Sequence, residues 1–383
     1  MTVEFISAIN VNASNEYNRL GQSAVDPSFF RRYARALEDA GFNYTLVPYS
    51  SNFHDPFAVA NAVVAATETV TPIVAVRPNI AFPTVVAKAL ATLDQFGEGR
   101  AAVHIISGGS DAEQAREGDY LPKDRRYARS AEFIDILRKV WTSTEAFSHH
   151  GEFYDFDGFV SDIRPTRGTI PVSVGGSSAE AYQVGGSRGD IFGLWGEPLK
   201  DTQDQIDRVN EEAAKAGRAD RPRIWVTFRP IIAPTEELAW ERAHTILSRL
   251  SKGVAGAGGW RNLTTDARPS NVGSQRLLDI AARGDVHDRA LWTPTAAATG
   301  AAGASTALVG TPETVAAAIL DYVDLGAELI SIRGYDNLND LIDYGRYVLP
   351  LVRSELAHRE ATGQRGTLQD EHLGAYATAG ANA

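Results

Sequence analysis

The chain has 383 residues, 44% hydrophobic and 22% charged, with no cysteine and a net charge of -11. The hydrophobic share excludes wholesale disorder, and the missing cysteines exclude disulfides, thiolate metal sites and a cysteine nucleophile. The acidic balance argues against a nucleic-acid partner but leaves room for a locally basic pocket.

At about 150 residues per domain the length allows two or three domains, or one large barrel with insertions. The opening MTVEFISAIN lacks the basic stretch and long apolar run of a signal peptide. No apolar run reaches the roughly 18 residues of a membrane span. A cytoplasmic protein without a membrane partner is expected.

In chain order, strand-like runs fall at 3–9, 44–49, 72–79, 101–107, 171–175, 190–196, 224–232 and 329–334. Helical patterns alternate with them at 28–40, 56–67, 83–96, 128–142, 179–185, 200–216, 236–252 and 312–325. The first helix reads SFFRRYARALEDA and stops at Gly41, a residue suited to the position just past a helix end. Unbroken strand–helix alternation implies parallel strands with helical crossovers. Eight such units predict an α/β fold, a TIM (β/α)8 barrel rather than an open doubly wound sheet.

Residues 1–360 are expected to form one barrel domain. Residues 253–305 interrupt the rhythm between the seventh and eighth units and contain the aperiodic TPTAAATGAAGAS. They predict a mobile insertion on the C-terminal face, either a lid or a loop without consequence. The Gly- and Ala-rich tail, 361–383, is expected to be flexible or to contact another subunit.

Three strand ends carry chemical signals. At 171–178, PVSVGGSS runs a strand into Gly175, Gly176, Ser177 and Ser178 and then a helix. Glycines admit close backbone approach, and a helix start offers free N–H groups to a phosphate; an ordinary capped turn reads the same way. At 104–111, HIISGGSD places Ser107 where a barrel puts its ligand, or where a strand simply turns. At 194–198, LWGEP offers Trp195 to a flat aromatic cofactor or to the core.

Arg125, Arg126 and Tyr127 open the fourth helix, facing either a phosphate or solvent. His149 and His150 read as surface residues, and no metal-ligand spacing is present. No Walker A, GxGxxG or G-x-S-x-G stands in its required context.

Together these segments resemble the bacterial luciferase-like flavin monooxygenases, most closely the alkanesulfonate monooxygenase branch. The resemblance rests on VAVRPNIAFPTVVAKALATLDQFGEGRAAVHIISGGSD, RRYARSAEFIDILRKVW, GEFYDF, PVSVGGSSAEA, LWGEP, ASTALVGTPETVAAAI and YGRYVLPLV. They stand in family order between residues 42 and 356.

The resemblance implies a TIM barrel with an insertion before the last strand, assembled as a homodimer or homotetramer. Reduced FMN (FMNH2) would come from a separate NAD(P)H-dependent flavin reductase and react with O2. In the sulfonate branch the product pair is an aldehyde and sulfite. Ser107 would lie beside the flavin, Tyr127 and Gly175, Gly176, Ser177 and Ser178 at its phosphate, and Trp195 in the active site.

The substrate site departs from that branch. Its Arg-x-His on the seventh strand is here Thr227 and Arg229, and its cysteine near the second strand is Phe53 beside His54. Its Tyr-x-His is Tyr335 and Asn337, and its lid arginine falls at Ala301. A small organosulfur anion is best held by arginine. Arg77, Arg229 and Arg333 are the available replacements, with Asn79 and Asn337 as further substrate contacts. Strand alternation decides whether these arginines face the site or bridge salt pairs in the wall. His54 is the acid/base candidate, with polar packing as the other reading, and Tyr335 would orient substrate or donate a proton. Oxygenation of a non-sulfonate, F420-dependent hydride transfer and non-catalytic flavin binding remain as alternatives.

Overall fold

The computed structural model describes residues 2–15, 24–256, 269–301 and 306–372. Its strands are β1 (Glu4–Ala8), β2 (Tyr44–Val47), β3 (Thr71–Val76), β4 (Ala102–Ile105), β5 (Phe147–His150), β6 (Asp155–Phe159) and β7 (Val172–Gly175). There follow β8 (Ile191–Trp195), β9 (Arg223–Ile232), β10 (Val286–His287), β11 (Leu291–Trp292), β12 (Ala307–Gly310) and β13 (Ala327–Ile332).

The fold is the predicted TIM barrel, and β1, β2, β3, β4, β7, β8, β9 and β13 are its strands. Several crossover helices start in the same way. Proline stands in the first turn of Pro27–Asp39, Pro56–Ala66, Pro83–Phe96 and Pro312–Asp324, where its fixed φ suits a helix and its missing N–H is not needed. Asp26 and Asp55 cap two of them, accepting from Ser28 N at 2.9 Å and Ala58 N at 2.7 Å.

The chain forms two compact units. One comprises Asn43–Gly193 and Ile206–Arg223. In it β2, β3, β4, β7 and β8 run parallel in that order. Phe192 packs on Tyr182 of the helix Ala179–Arg188, with ring centroids 5.8 Å apart. Phe192 pairs with Val174, and Val174 with Ile105, so these residues share the helix-covered face. His104 and Ser173, paired with each other, therefore occupy the opposite face.

The other unit comprises Met1–Phe42, Leu194–Gln205 and Ile224–Ala383. Here β1 pairs with β13 and β13 with the first half of β9, all parallel. The second half of β9 pairs instead with β12, and β11 and β10 continue antiparallel. Phe228 lies against Tyr322 of the helix Pro312–Asp324, with centroids 4.6 Å apart. Alternation then puts Trp225, Thr227 and Arg229 on the face away from that helix. Ser331 pairs with Thr227 and shares its side; Arg333 follows two residues later.

The sequence reading missed the hairpin β5–β6, whose strands of four and five residues are too short and mixed to show a period. It also missed β12, which follows directly on the Ala/Gly-rich stretch. Within 253–305, residues 257–268 and 302–305 lie outside the described residues. The remainder is more ordered than its composition suggests. Asn271 caps the helix Val272–Ala281, and Pro294–Ala298 forms a further short helix.

Of the tail, 373–383 lies outside the described residues. Before it, Gln369 donates to Asp321 at 2.7 Å, Gly366 N to Glu355 at 2.8 Å, and Arg289 to the His372 carbonyl. Among the described residues no helix is long and apolar enough to cross a membrane.

Gly196 joins β8 to the next turn. Its N–H donates to Thr227 O at 2.9 Å, and its carbonyl accepts from Thr306 Oγ1 at 2.7 Å. A Cβ there would sit 2.3 Å from the Phe228 ring and 2.9 Å from Thr227 O. Gly196→Ala is expected to destabilise the fold by about 1–3 kcal/mol through overpacking. Urea unfolding measures it, and an unchanged midpoint would contradict the tight fit.

Candidate active site

In the first unit, the turn after β7 builds a cradle. Ser178 caps the helix Ala179–Arg188, its Oγ accepting from Ala181 N at 3.3 Å. Gly176 has φ +136, and a Cβ there would lie 2.7 Å from the Tyr127 hydroxyl and 2.9 Å from Ala181 Cβ. Only glycine leaves that space open. Burial pushes the Tyr127 hydroxyl up to about 12, against a hydrogen bond with Ser178 that lowers it. A neutral phenol, a serine hydroxyl and a helix start thus converge, and such a group suits a phosphate. Ser177 lies in the same turn, half-buried.

Lys123, missed in the sequence, stands one turn before Tyr127 on the helix Lys123–Thr142. Burial lowers its pKa, and Glu180 in the first turn of the neighbouring helix raises it. The i, i+4 spacing within KDRRY was the available signal. The other two basic residues of that stretch are taken. Arg126 is buried and donates to Ser107 O at 2.8 Å, Leu121 O at 2.6 Å and Asp111 at 2.8 Å. Arg125 pairs with Glu152.

Ser107, expected beside the flavin, has its side chain turned onto the helix Lys123–Thr142 instead. Its Oγ lies 2.9 Å from Ser130 Oγ. Ser130 donates to Arg126 O, so Ser107 is the donor between the two hydroxyls. Alternation gives the reason, because Ser107 follows Ile105 by two and inherits its helix-covered side. His104 takes the opposite face. Its Nδ1 lies 2.9 Å from Ser173 Oγ, and a Cβ on Gly175 would be 3.2 Å from its Cε1. Burial pushes its pKa down to about 4.

Arg77, expected to hold a substrate anion, is enclosed by carboxylates. Nη1 donates to Glu117 at 2.9 Å and Nη2 to Glu113. With the Gln114 amide oriented to satisfy its neighbours, Arg77 Nε reaches the amide oxygen at 3.2 Å. Tyr49 lies beneath the guanidinium at 5.2 Å and donates to Glu117. Burial and Glu117 both push the Tyr49 hydroxyl upward. Burial alone would raise Glu113, but the Ser51 N–H and Arg77 hold it below its ordinary value. Arg77 therefore secures the segment after β4, and its charge is neutralised.

Asn79 follows close by in sequence, and its buried amide oxygen and nitrogen have no hydrogen-bond partner. Such a group marks a place for a ligand or water. His54 is half-buried ahead of the helix Pro56–Ala66.

In the second unit, the Trp195 side chain packs on Leu277, Ile280, Ala296 and Ala301. Ala301, at the expected lid-arginine position, is fully buried there, so an arginine side chain has no counterpart at that point. Arg229 is buried, donates to Gly334 O at 2.6 Å and has its guanidinium 3.6 Å from the Tyr335 ring centroid. Tyr335 is buried, and its N–H donates to Asp340 at 2.7 Å; Asp340 pairs with Arg242. Arg333 is half-buried, and its charge acts on Tyr33, whose hydroxyl burial pushes up to about 12 despite bonds to Asn10 and Ser7. Asn337 donates to Ser14 O at 3.3 Å.

Residues 8–329 match the family model for luciferase-like monooxygenases. The chain belongs to this family. Among solved structures it is similar to a riboflavin lyase with modified FMN and riboflavin, at 20% identity over 92% of each chain and a TM-score of 0.74. The EDTA monooxygenase of Chelativorans sp. BNC1 is 18% identical over 92% of this chain and 94% of its own, with a TM-score of 0.74. DmoA from Hyphomicrobium sulfonivorans is 19% identical over 97% and 92%, with a TM-score of 0.73. At these identities the likeness is one of fold.

The depressed His104 gives a pH signature. Its folded pKa of about 4 lies below the ordinary 6.5, so between these values the unfolded chain binds a proton that the folded chain refuses. Stability on this account is complete above pH 6.5 and falls on acidification, by about 3 kcal/mol at most. Relative to wild type, His104→Asn should lose less stability between pH 7 and pH 4.5 in urea titrations. Parallel pH curves for the two proteins would remove the assignment.

Proposed function

We propose that this chain is the oxygenase component of a two-component flavin monooxygenase that oxidises a small organosulfur anion. The substrate is a sulfonate, cleaved at its C–S bond to an aldehyde and sulfite. The Gly176 cradle carries the cofactor reading. It offers the open space, the two hydroxyls and the helix start that the phosphate of FMN requires, and Gly175 to Ser178 with Tyr127 would hold it. Reduced FMN, when bound, supplies the two electrons that reduce one oxygen atom of O2 to water while the other enters the substrate.

The protein's own residues then bind and orient the substrate. Arg229 and the following strand-end Arg333 supply the positive charge for a sulfonate. Arg77 no longer serves this purpose, since Glu113 and Glu117 neutralise it. Asn79 offers an amide with both polar atoms unsatisfied, and Asn337 a second amide whose nitrogen already donates to Ser14 O. Tyr335, stacked on Arg229, fixes the arginine's plane and with it the direction in which the anion is held. Trp195 forms an apolar wall, and His54 is the group to move the proton lost from the oxidised carbon. The sequence carries no dinucleotide-binding fingerprint, which supports a separate NAD(P)H-dependent reductase as the source of FMNH2.

The test supplies FMN, NADH, a generic flavin reductase and catalase, and measures sulfite from alkyl, aryl and sugar sulfonates. Protein-dependent sulfite is expected from at least one. Arg229→Ala should raise KM for it about tenfold or more, the loss expected for a charged hydrogen bond. Tyr127→Phe combined with Ser178→Ala should weaken binding of reduced FMN about tenfold. Bound FMNH2 without sulfite from any sulfonate would reject the substrate class and keep the cofactor.

A further inference from the structure

The turn after β8 reads Trp195, Gly196, Glu197, and the middle residue is pinned on both sides by Thr227 and Thr306. Its neighbours are both gripped by one element, the helix Val272–Ala281. Gly273 presents bare backbone to the indole: a Cβ there would lie 2.9 Å from Trp195 Cζ3 and 3.1 Å from Cε3. Three residues along, Arg276 binds Glu197 at two points, Nε to Oε1 at 2.9 Å and Nη2 to Oε2 at 2.5 Å. Residues three apart share a helix face. The helix therefore holds the tryptophan and the glutamate with a single surface.

The ion pair is oriented as well as charged. The Glu197 side chain is 1% exposed, and its backbone carbonyl is fixed by the Tyr322 hydroxyl at 2.7 Å. A buried pair of this kind adds little net stability over a well-packed apolar contact. What two parallel hydrogen bonds between planar groups add is a defined angle and register.

We infer that Arg276 is a positioning residue: through Glu197 it sets the seat of the helix Val272–Ala281 and thereby the plane of the Trp195 indole. The consequence for the reaction rests on the reading above, in which Trp195 walls the substrate site. The helix Val272–Ala281 then contributes to that wall through a residue of the barrel itself.

The test reads Trp195 directly. The chain has six tryptophans, so its emission is isolated as the difference between proteins with and without Trp195→Phe. In Arg276→Met this component is expected to shift to the red and to be quenched by acrylamide at least twice as efficiently. Arg276→Lys, with its charge but no planar fork, should fall between the two. Gly273→Ala pushes a methyl against the indole and should shift the same component, which keeps the test open if Arg276→Met does not fold.

In sulfite assays Arg276→Met should raise KM several-fold, yet change it no further once Trp195→Phe is present. An unmoved Trp195 component in the folded variants, or additive effects on KM, would falsify the inference. Wild-type kinetics for Trp195→Phe together with an intact emission shift would uphold the positioning role and count instead against Trp195 as a wall of the substrate site.

Discussion

A strand covered by helices on one face has only its other face, and the loop beyond its C-terminal end, in which to place chemistry. That constraint sorts the residues of this site. Ile105 and Phe228 face helices, so Ser107 is carried onto the helix side while His104, Thr227 and Arg229 are carried off it. A parallel pairing copies the choice to the next strand, which is why Ser173 accompanies His104 and Ser331 accompanies Thr227. In each unit one aromatic contact with a helix therefore shows which way residues on several strands face.

Charge compensation makes the second selection. The arginines near the candidate site are chemically alike in the sequence but not in the fold. Arg77 is closed off by Glu113 and Glu117, which come from beyond the next strand. Arg126 is consumed by carbonyls and Asp111. Arg229 instead lies flat on Tyr335 and donates to a carbonyl. An arginine between two carboxylates contributes no charge beyond its own cluster, and the Arg229 guanidinium is held in place by a ring and a carbonyl.

The fold was legible because eight strand–helix alternations admit few topologies, and short runs such as IFGLW and TPIVAV are distinct from their neighbours. The turn at Gly176 and Ser178 was legible because glycine and a capping serine act locally. The ion pairs of Arg77 were not legible because its partners lie 36 and 40 residues away and no local pattern joins them. The direction of the Ser107 side chain was not legible because alternation must be counted from a known facing residue, which the contact of Phe192 with Tyr182 supplies. His104 entered the sequence reading only as the first residue of HIISGGSD, and its contact with Ser173, on the adjacent strand, was not legible there. The helix Val272–Ala281 was hidden by the unpatterned residues around it, although Asn271 and VGSQRLLDI carry an ordinary cap and stripe.

β9 is ten residues long and changes partner midway, from β13 at Phe228 to β12 at Arg229. Its second half is an overhang on which β12 pairs in parallel, from Arg229 with Ala307 to Ile232 with Gly310. Arg229 stands at the splice, with its N–H on Thr306 and its side chain on Gly334. A shift of β12 along β9 would be felt first at this arginine, because its backbone is tied to one element and its side chain to another.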